Sequence, residues 1–416
     1  MARTVVMLRV AYLLSHPIQY QSPLLRLLAQ QPALDLKVFY TSDFSLRSYH
    51  DNGFGERVQW DVPLLDGHQY EFLPRLLDAE DVSFLRPLAH GMGRRLRKGQ
   101  FDVLWSHGYA TLSAQMAIVA ARALRIPVLL RTDSTLADRP RGRARLLAKD
   151  VFFSLLRPHV FGVLSTGQRN SEYWRHHLGR DVRIFPMPYA VDNDFFSQRA
   201  AAASATREDF RAALGLRPGR PVVLFASKLL ARKRCIDLLE AHLGLVQEMP
   251  EDQRPYLLIA GSGEERAALE ARTAQACAKE SVRMLGFQNQ TGLPRLYDLC
   301  DVFVLPSIHE PWGLVVNEVM NAGRAVIVSD QVGCQPDLVE DGGNGLVFPA
   351  QDVGALRAAL RRLLRDAALR QLMGERGRER IRHYSFEADV HGAMQAFWAA
   401  AEWKRGRMRA QTGAQA

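Results

Sequence analysis

The stretch that decides the fold is Asp301–Pro349, with the sequence DVFVLPSIHEPWGLVVNEVMNAGRAVIVSDQVGCQPDLVEDGGNGLVFP. Its apolar runs at 302–305 and 325–328 are short and continuous, as in strands that a parallel sheet buries on both faces. Between them, residues 314–322 have apolar side chains at helical spacing and stop at Gly323. The stretch therefore predicts strand, loop, helix and strand in an α/β fold.

Two glutamates of this stretch lie where such a fold binds ligands. Glu310 follows the first strand, and Pro311 and Gly313 keep it in a loop rather than a helix. Glu318 lies near the start of the helix that follows. Because ligands of open α/β sheets bind at the carboxyl ends of the strands, we expect both carboxylates to face a ligand.

The residues around Glu310 and Glu318 restrict the classes of ligand that could bind there. The amides of Trp312, Gly313 and Leu314 precede a helix N-terminus, which suits a phosphate. Two carboxylates beside a phosphate make sense only if they face uncharged hydroxyls and if cations neutralise the phosphate. A nucleotide sugar has both a diphosphate and such hydroxyls. The alternative is a solvated loop acid at position 310 and a first-turn acid at position 318 that the helix dipole favours.

Length and composition set the broad class. A chain of 416 residues suggests two domains, and 47% hydrophobic with 24% charged residues is typical of a globular protein. The 54 Lys and Arg against 44 Asp and Glu give a net charge of +10, which favours anionic partners: phosphates, acidic lipid surfaces or nucleic acid. Net charge alone cannot choose among these classes. We predict no nucleic-acid partner.

The cysteines and the apolar runs indicate a cytoplasmic protein. The four cysteines are scattered without metal-ligand spacing, which argues against a zinc site or a disulfide framework. No apolar run approaches membrane-spanning length, and the N-terminal residues do not resemble a signal peptide.

The first half of the chain predicts a second parallel sheet with polar strand ends. A strand over 5–14 is followed by a turn without the glycine fingerprint of dinucleotide binding, which counts against a nicotinamide oxidoreductase. Strands at 103–105 and 128–130 also end in polar residues, whereas 42–72 predicts a long loop. The strand-end side chains that we assign to the acceptor side are His16, Gln19, Tyr20, Arg131 and Asp133.

Two basic stretches with interleaved apolar residues flank this region. One contains Arg86, Arg94, Arg95, Arg97 and Lys98, and the other contains Arg139, Arg141, Arg143, Arg145 and Lys149. Such stretches either rest on anionic membranes or form a solvated face. We therefore hypothesise that these stretches make peripheral contact with the inner face of the cell membrane.

The second half supplies the cations that the two glutamates require. Lys228 and Lys233 follow an apolar run at 222–225, and a Gly261-Ser262-Gly263 turn follows the run at 257–260. The small residues at 200–204 suit a domain boundary.

We therefore predict an N-terminal domain over 1–195, a C-terminal domain over 196–383 and a helix with a tail over 384–416. Asp192-Asn193-Asp194 resembles an acidic metal-binding triplet, but its place at the crossover favours a structural role.

These residues resemble those of retaining glycosyltransferases of the GT-B fold in the large GT4 family. The resemblance is strongest over 222–349, where Glu310 and Glu318 stand in the paired-glutamate position of that family. Lys233 falls at the family's donor-phosphate lysine, and Lys228 stands where an arginine is more usual. In the first half, an HPIQY turn replaces the commoner glycine-rich loop.

The resemblance implies two Rossmann-like domains facing a central cleft, with the C-terminal helix packing back on the first domain. Glu318 would hold the ribose hydroxyls, and Lys228 and Lys233 the diphosphate. The other donor-binding positions would be Glu310, Trp312, Gly313, Leu314, Gly261 and Gly263. His107 matches a family histidine near the transferred sugar, which makes Glu310, Lys233 and His107 the catalytic candidates. No cofactor and no metal are expected.

The sequence thus predicts transfer of a sugar from a UDP- or GDP-linked donor to a hydroxyl acceptor with retention, in cell-surface polysaccharide or glycolipid synthesis. A lipid-linked molecule is one candidate acceptor. The alternatives are a GT-B epimerase or phosphorylase, and a non-catalytic sugar-nucleotide-binding protein. Intact Glu310, Glu318 and Lys233 argue against the last of these.

Overall fold

A computed structural model describes residues 7–137 and 142–413, which divide into two compact units. Of the described residues, the first unit comprises 7–49, 62–137, 142–189 and 386–413, and the second comprises His50–Asp61 and Ala190–Ser385. Each unit is a Rossmann-like α/β structure built on a parallel sheet, as the sequence predicted. Within the described residues, no helix combines the length and the apolar character needed to cross a membrane.

The elements up to residue 189 begin with a β-α-β unit. The strands are β1 (Leu8–Leu14), β2 (Leu34–Tyr40), β3 (Tyr49–Asp51), β4 (Glu56–Val58), β5 (Gln69–Phe72), β6 (Arg75–Leu77), β7 (Leu88–Ala89), β8 (Val103–His107), β9 (Val128–Arg131), β10 (Gly162–Ser165) and β11 (Ile184–Pro186). The α-helices are α1 (Gln21–Ala29), α2 (Met92–Gly99), α3 (Leu112–Ala123), α4 (Arg143–Leu156) and α5 (Gln168–Leu178).

From residue 190 onward, strands and helices again alternate. The strands are β12 (Val222–Ala226), β13 (Tyr256–Ala260), β14 (Val282–Gly286), β15 (Val302–Leu305), β16 (Ala325–Ser329) and β17 (Gly345–Phe348). The α-helices are α6 (Asn193–Ala203), α7 (Arg207–Ala213), α8 (Cys235–Glu248), α9 (Arg266–Gln275), α10 (Leu293–Leu299), α11 (Leu314–Asn321), α12 (Gln335–Leu338), α13 (Val353–Arg365), α14 (Ala367–Ile381) and α15 (Phe386–Gly413).

The sheet of the first unit has the strand order β11-β10-β9-β8-β1-β2-β5, with every neighbouring pair parallel. The long loop predicted over 42–72 is wrong in two places, because β3 and β4 form a two-stranded sheet within it and β5 pairs with β2 at its C-terminal end. This edge strand has no buried residue and therefore lacks the apolar run that marked the central strands.

The sheet of the second unit has the order β14-β13-β12-β15-β16-β17 and is also parallel throughout. Strands β12, β13, β15 and β16 are buried along their whole length, which explains their continuous apolar runs. The strand, loop, helix and strand predicted from the central stretch are confirmed as β15, α11 and β16. Gly323 follows α11 at a φ of 67°, in the left-handed conformation expected after a helix.

The last helix, α15, packs against the first unit as predicted, and it contacts α1 and strands β1, β8, β9, β10 and β11. Its face towards the sheet is small and apolar, with Ala393, Ala396, Phe397 and Ala400 fully buried. The Phe397 ring lies 5.5 Å from that of Trp105 on β8. Burial of this face fastens the C-terminal segment to the first unit.

Two local predictions have different outcomes. The small residues at 200–204, which were expected to suit a domain boundary, instead continue α6 and the 3-10 turn after it, as the high helix propensity of alanine favours. A structural role was predicted for the acidic triplet at 192–194. The contact of Asp192 agrees with that prediction, because its carboxylate accepts from the Phe195 amide at 2.9 Å. Asp192 therefore caps α6.

Candidate functional site

The loop after β15 presents Glu310 at the carboxyl edge of the second sheet. Backbone contacts hold this loop, since Glu310 bridges to Val332 and its carbonyl accepts from the Gly333 amide at 2.8 Å. A Cβ atom at Gly333 would lie 1.9 Å from the Pro311 carbonyl oxygen, so only glycine fits there. The loop around Glu310 is thus fixed by its backbone.

Lys233 pairs with Glu310. It ends the 3-10 turn Ala231–Lys233 after β12, and its ammonium contacts Glu310 Oε2 directly. Both side chains are about nine-tenths buried, and Arg232 Nη1 lies 3.9 Å from the same carboxylate oxygen. Burial lowers the pKa of Lys233, and the Glu310 charge opposes that shift. The two sequence-predicted residues therefore form a nearly buried ion pair.

Glu318 lies in the second turn of α11 and is 5% exposed. The hydroxyl of Tyr297 on α10 donates to its Oε2 atom. Burial raises the pKa of Glu318 to about 7, and the hydrogen bond from Tyr297 opposes the shift. A buried carboxyl with one hydroxyl donor keeps further acceptor capacity for the hydroxyls of a ligand. Tyr297 could not be predicted as a site residue, because a tyrosine among apolar helix residues does not reveal from the sequence which side chain its hydroxyl contacts.

The start of α11 offers amide donors, as predicted. Gly313 has a φ of 99° at the N-cap, and the amides of Gly313 and Leu314 make no hydrogen bond to any described residue. The Trp312 side chain instead points into the unit, where it is buried and its indole N–H donates to Asn317 at 2.9 Å. Any contact of Trp312 with a ligand would therefore use its backbone.

The Gly261-Ser262-Gly263 turn lies against the segment that contains Lys228. A Cβ atom at Gly261 would lie 1.9 Å from the Ser227 carbonyl oxygen, and one at Gly263 would lie 2.5 Å from that of Leu229. The Leu229 amide also donates to the Ser262 carbonyl at 2.8 Å. These glycines thus allow two backbones to approach and thereby position Lys228.

Lys228 has a partner that the sequence did not reveal. Its Nζ lies 2.7 and 2.9 Å from the two carboxylate oxygens of Asp51, from the short segment of residues 50–61 that belongs to the second unit. The side chain of Lys228 is 33% exposed and that of Asp51 13%. Both lysines of the predicted donor site therefore form ion pairs with carboxylates.

In the first unit, the predicted histidines lie at strand ends and are neutral. His107 Nδ1 lies 2.9 Å from the Tyr12 hydroxyl, and burial lowers the pKa of His107 to about 3. His16 lies 2.9 Å from the Ser15 hydroxyl, and burial lowers its pKa to about 4. Near neutral pH, both imidazoles therefore act as hydrogen-bonding groups without charge.

The other predicted acceptor-side residues differ in their exposure. Arg131 is 1% exposed, lies 3.6 Å from Asp389 of α15 and donates to the Pro188 carbonyl at 3.4 Å. The structure thus gives Arg131 an interior role and removes it from the acceptor side. Gln19 is 7% exposed, as is Lys233, and Tyr20 and Asp133 are half-buried near strand ends, so these three residues of the first unit remain candidates.

Residues 206–380 match the family model described as glycosyl transferases group 1. An alpha-D-kanosaminyltransferase from Streptomyces kanamyceticus is 31% identical over 46% of this chain and 48% of its own. A D-inositol 3-phosphate glycosyltransferase from Salinispora arenicola is 26% identical over 80% of this chain and 75% of its own. The first of these alignments thus spans about half of the relative's length.

The fold is similar to that of solved structures. An Anabaena protein solved in complex with UDP and glucose superposes with a TM-score of 0.70, at 16% identity, over 94% of this chain and 100% of its own. At that identity the similarity supports the fold alone.

Proposed function

We propose that the chain, whose residues 206–380 match the model of the glycosyl transferases group 1 family, transfers a sugar from a nucleotide-sugar donor to a hydroxyl acceptor with retention of the anomeric configuration. The observation that supports this most directly is the buried Lys233–Glu310 pair at the carboxyl edge of the second sheet. The two named relatives are both glycosyltransferases.

We propose that the second unit binds a UDP- or GDP-linked donor. Ribose hydroxyls would donate to Glu318, whose burial makes a charged acceptor strong. Lys228 and Lys233 would contact the diphosphate, and Glu310 the hydroxyls of the sugar. A UDP donor is in line with the UDP bound by the Anabaena protein.

In the proposed reaction, the bond between the anomeric carbon and the donor phosphate oxygen breaks as the acceptor oxygen bonds to the same face. The acceptor proton passes to the departing phosphate oxygen. Negative charge grows on the diphosphate, where Lys228, Lys233 and the N-terminus of α11 would stabilise it. Because the protein supplies this positive charge, we propose that no metal ion is needed.

The strand-end residues of the first unit suit the recognition of hydroxyls. His16 and His107 are neutral near physiological pH, so each ring presents a donor or an acceptor without charge. We therefore propose hydrogen-bonding roles for both histidines, and we do not assign His107 as a general base. Gln19, Tyr20 and Asp133 are the other candidates for acceptor contact.

The proposal is tested by screening UDP- and GDP-linked sugars for binding by calorimetry and for slow donor hydrolysis. We expect one donor class to bind and to be hydrolysed equally well with and without EDTA. Activity that EDTA abolishes and magnesium or manganese restores would contradict the metal-independent reaction. Binding without hydrolysis or transfer to any acceptor would favour the non-catalytic alternative.

We also propose that the protein works in the cytoplasm at the inner face of the membrane, on a lipid-linked acceptor of polysaccharide or glycolipid synthesis. Helix α4 exposes several apolar side chains, with Leu147, Val151 and Leu155 between 53 and 69% exposed. Arg139, Arg141 and the side chains of Arg143 and Arg145 lie outside the described residues. In the other basic stretch, Leu96 is in the core and Arg95 pairs with Glu71, whereas Leu85, Arg94 and Arg97 are exposed.

Vesicles of phosphatidylglycerol test this contact. We expect the protein to bind them at low salt and to dissociate as salt rises, because the attraction of basic residues to anionic lipid is screened. Leu147→Gln with Leu155→Gln should reduce binding severalfold, whereas Leu372→Gln, at a 43% exposed leucine of the second unit, should not. Failure of the native protein to bind at low salt would favour a soluble acceptor.

A further inference from the structure

Residues 50–61 come from the first half of the chain yet belong to the second unit. Strands β3 and β4 form a two-stranded sheet whose connection contains Gly53 and Phe54. We call residues 50–61 the hairpin segment. It reaches the carboxyl edge of the second sheet at two places, namely Lys228 after β12 and the residues after β14.

The first contact is centred on Asp51. Its Oδ1 atom accepts from the amides of Gly53 at 2.8 Å and Phe54 at 3.1 Å, and from Lys228 Nζ at 2.7 Å. A Cβ atom at Gly53 would lie 2.6 Å from Lys228 Cδ, so the turn fits closely around the lysine. The Lys228 ammonium also lies 4.7 Å from the centre of the Phe54 ring. Asp51 and Phe54 thus hold Lys228 from two sides.

The second contact is made by the residues that follow β14. The ring of Phe287 lies 4.8 Å from that of Phe54 and 6.3 Å from that of Trp60. Asn289 donates to the Gln59 carbonyl at 2.6 Å. These contacts anchor the hairpin segment independently of the ion pair with Lys228.

The ion pair conflicts with the role proposed for Lys228. A diphosphate that approaches the ammonium would meet the Asp51 carboxylate at hydrogen-bonding distance from the same nitrogen. Two anions at one partly buried cation repel each other, and the repulsion is stronger than in water. Donor binding must therefore displace Asp51 from Lys228 or overcome this repulsion.

We propose that Asp51 competes with the diphosphate of the donor for Lys228, so that the hairpin segment closes the empty donor site and opens when donor binds. The proposal rests on the donor-binding function proposed above. Asp51 weakens donor binding in this scheme and, after transfer, helps to expel the nucleoside diphosphate product. Asp51 is then a residue that sets donor affinity rather than a catalytic residue.

The variant Asp51→Asn tests the competition with little change in structure. The asparagine carbonyl can still accept from the amides of Gly53 and Phe54, so the turn is kept while the charge is lost. Glu56→Gln is the matched control, because Glu56 is an exposed acid of the same segment with no ion pair among the described residues. Calorimetry with UDP and GDP should show threefold to tenfold tighter binding by Asp51→Asn and unchanged binding by Glu56→Gln.

Two further measurements keep the test sharp. In a Lys228→Met background, Asp51→Asn should improve affinity less than in the native background, because competition for the shared cation is gone and only the repulsion between carboxylate and diphosphate remains. In the native protein, saturating UDP or GDP should increase hydrogen exchange at the amides of Gly53 and Phe54. Equal or weaker nucleotide binding by Asp51→Asn, or increased protection of these amides, would overturn the proposal. If the native protein binds no nucleoside diphosphate, the proposed function itself fails.

Discussion

Lys233→Met should lower the turnover number about 10²–10³-fold, the loss found when a preorganised group that stabilises developing charge is removed. Methionine keeps much of the length and apolar body of the side chain but cannot balance the charge that grows on the leaving diphosphate. Because this interaction strengthens in the transition state, turnover should fall more than donor affinity. Steady-state kinetics on the native protein and the variant measure both quantities.

The variant needs a control for folding, because Lys233 is buried with Glu310. Removal of one partner of a buried ion pair costs about 3–5 kcal/mol of stability. Among the described residues, it leaves Glu310 with Arg232, at 3.9 Å, as its remaining cationic partner. Adding Glu310→Gln should restore much of that stability without restoring turnover. Lys279→Met, at an exposed lysine of the same unit, should leave both unchanged. Near-native turnover in a folded Lys233→Met protein would contradict the role.

The sequence predicted the features that depend on local pattern. Strands that are buried on both faces need continuous apolar runs. The runs in the local sequence were therefore enough to predict β12, β13, β15 and β16. The position of Glu310 followed from the loop that Pro311 and Gly313 impose. Residues that lie at the ends of such strands share one edge of a sheet, which is why Lys233 and Glu310 meet although they are 77 positions apart.

Other features depend on contacts that leave no local pattern. Asp51 is 177 positions from Lys228 and lies in a segment without periodicity, so its pairing with the lysine could not be predicted. Arg131 lies at a strand end like His107, yet α15 covers it and supplies Asp389 as its partner. The sequence gives the edge of the sheet on which a residue lies, but not which distant element packs over it.

Glu318→Gln should stabilise the folded protein at pH 8 by up to about 3 kcal/mol, because burial raises the pKa of Glu318 from 4.5 to about 7. A raised folded-state pKa means that ionisation costs more in the folded than in the unfolded protein. That cost is absent below pH 4.5, grows as the pH rises to about 7 and is complete above it. Urea unfolding should therefore show similar stabilities at pH 4.5 and a more stable variant at pH 8.

The same substitution should weaken nucleoside binding about tenfold to a hundredfold at pH 8, since a charged acceptor for the ribose hydroxyls contributes about 1.5–3 kcal/mol. Uridine and guanosine are the right probes, because they lack phosphates that titrate in this range. Native affinity should rise from pH 6 to pH 8 as Glu318 ionises, whereas the variant should show no such rise. Unchanged affinity with increased stability would mean that Glu318 destabilises the folded protein and does not bind the ribose. Loss of affinity together with increased stability would show that stability is given up at this position for donor recognition.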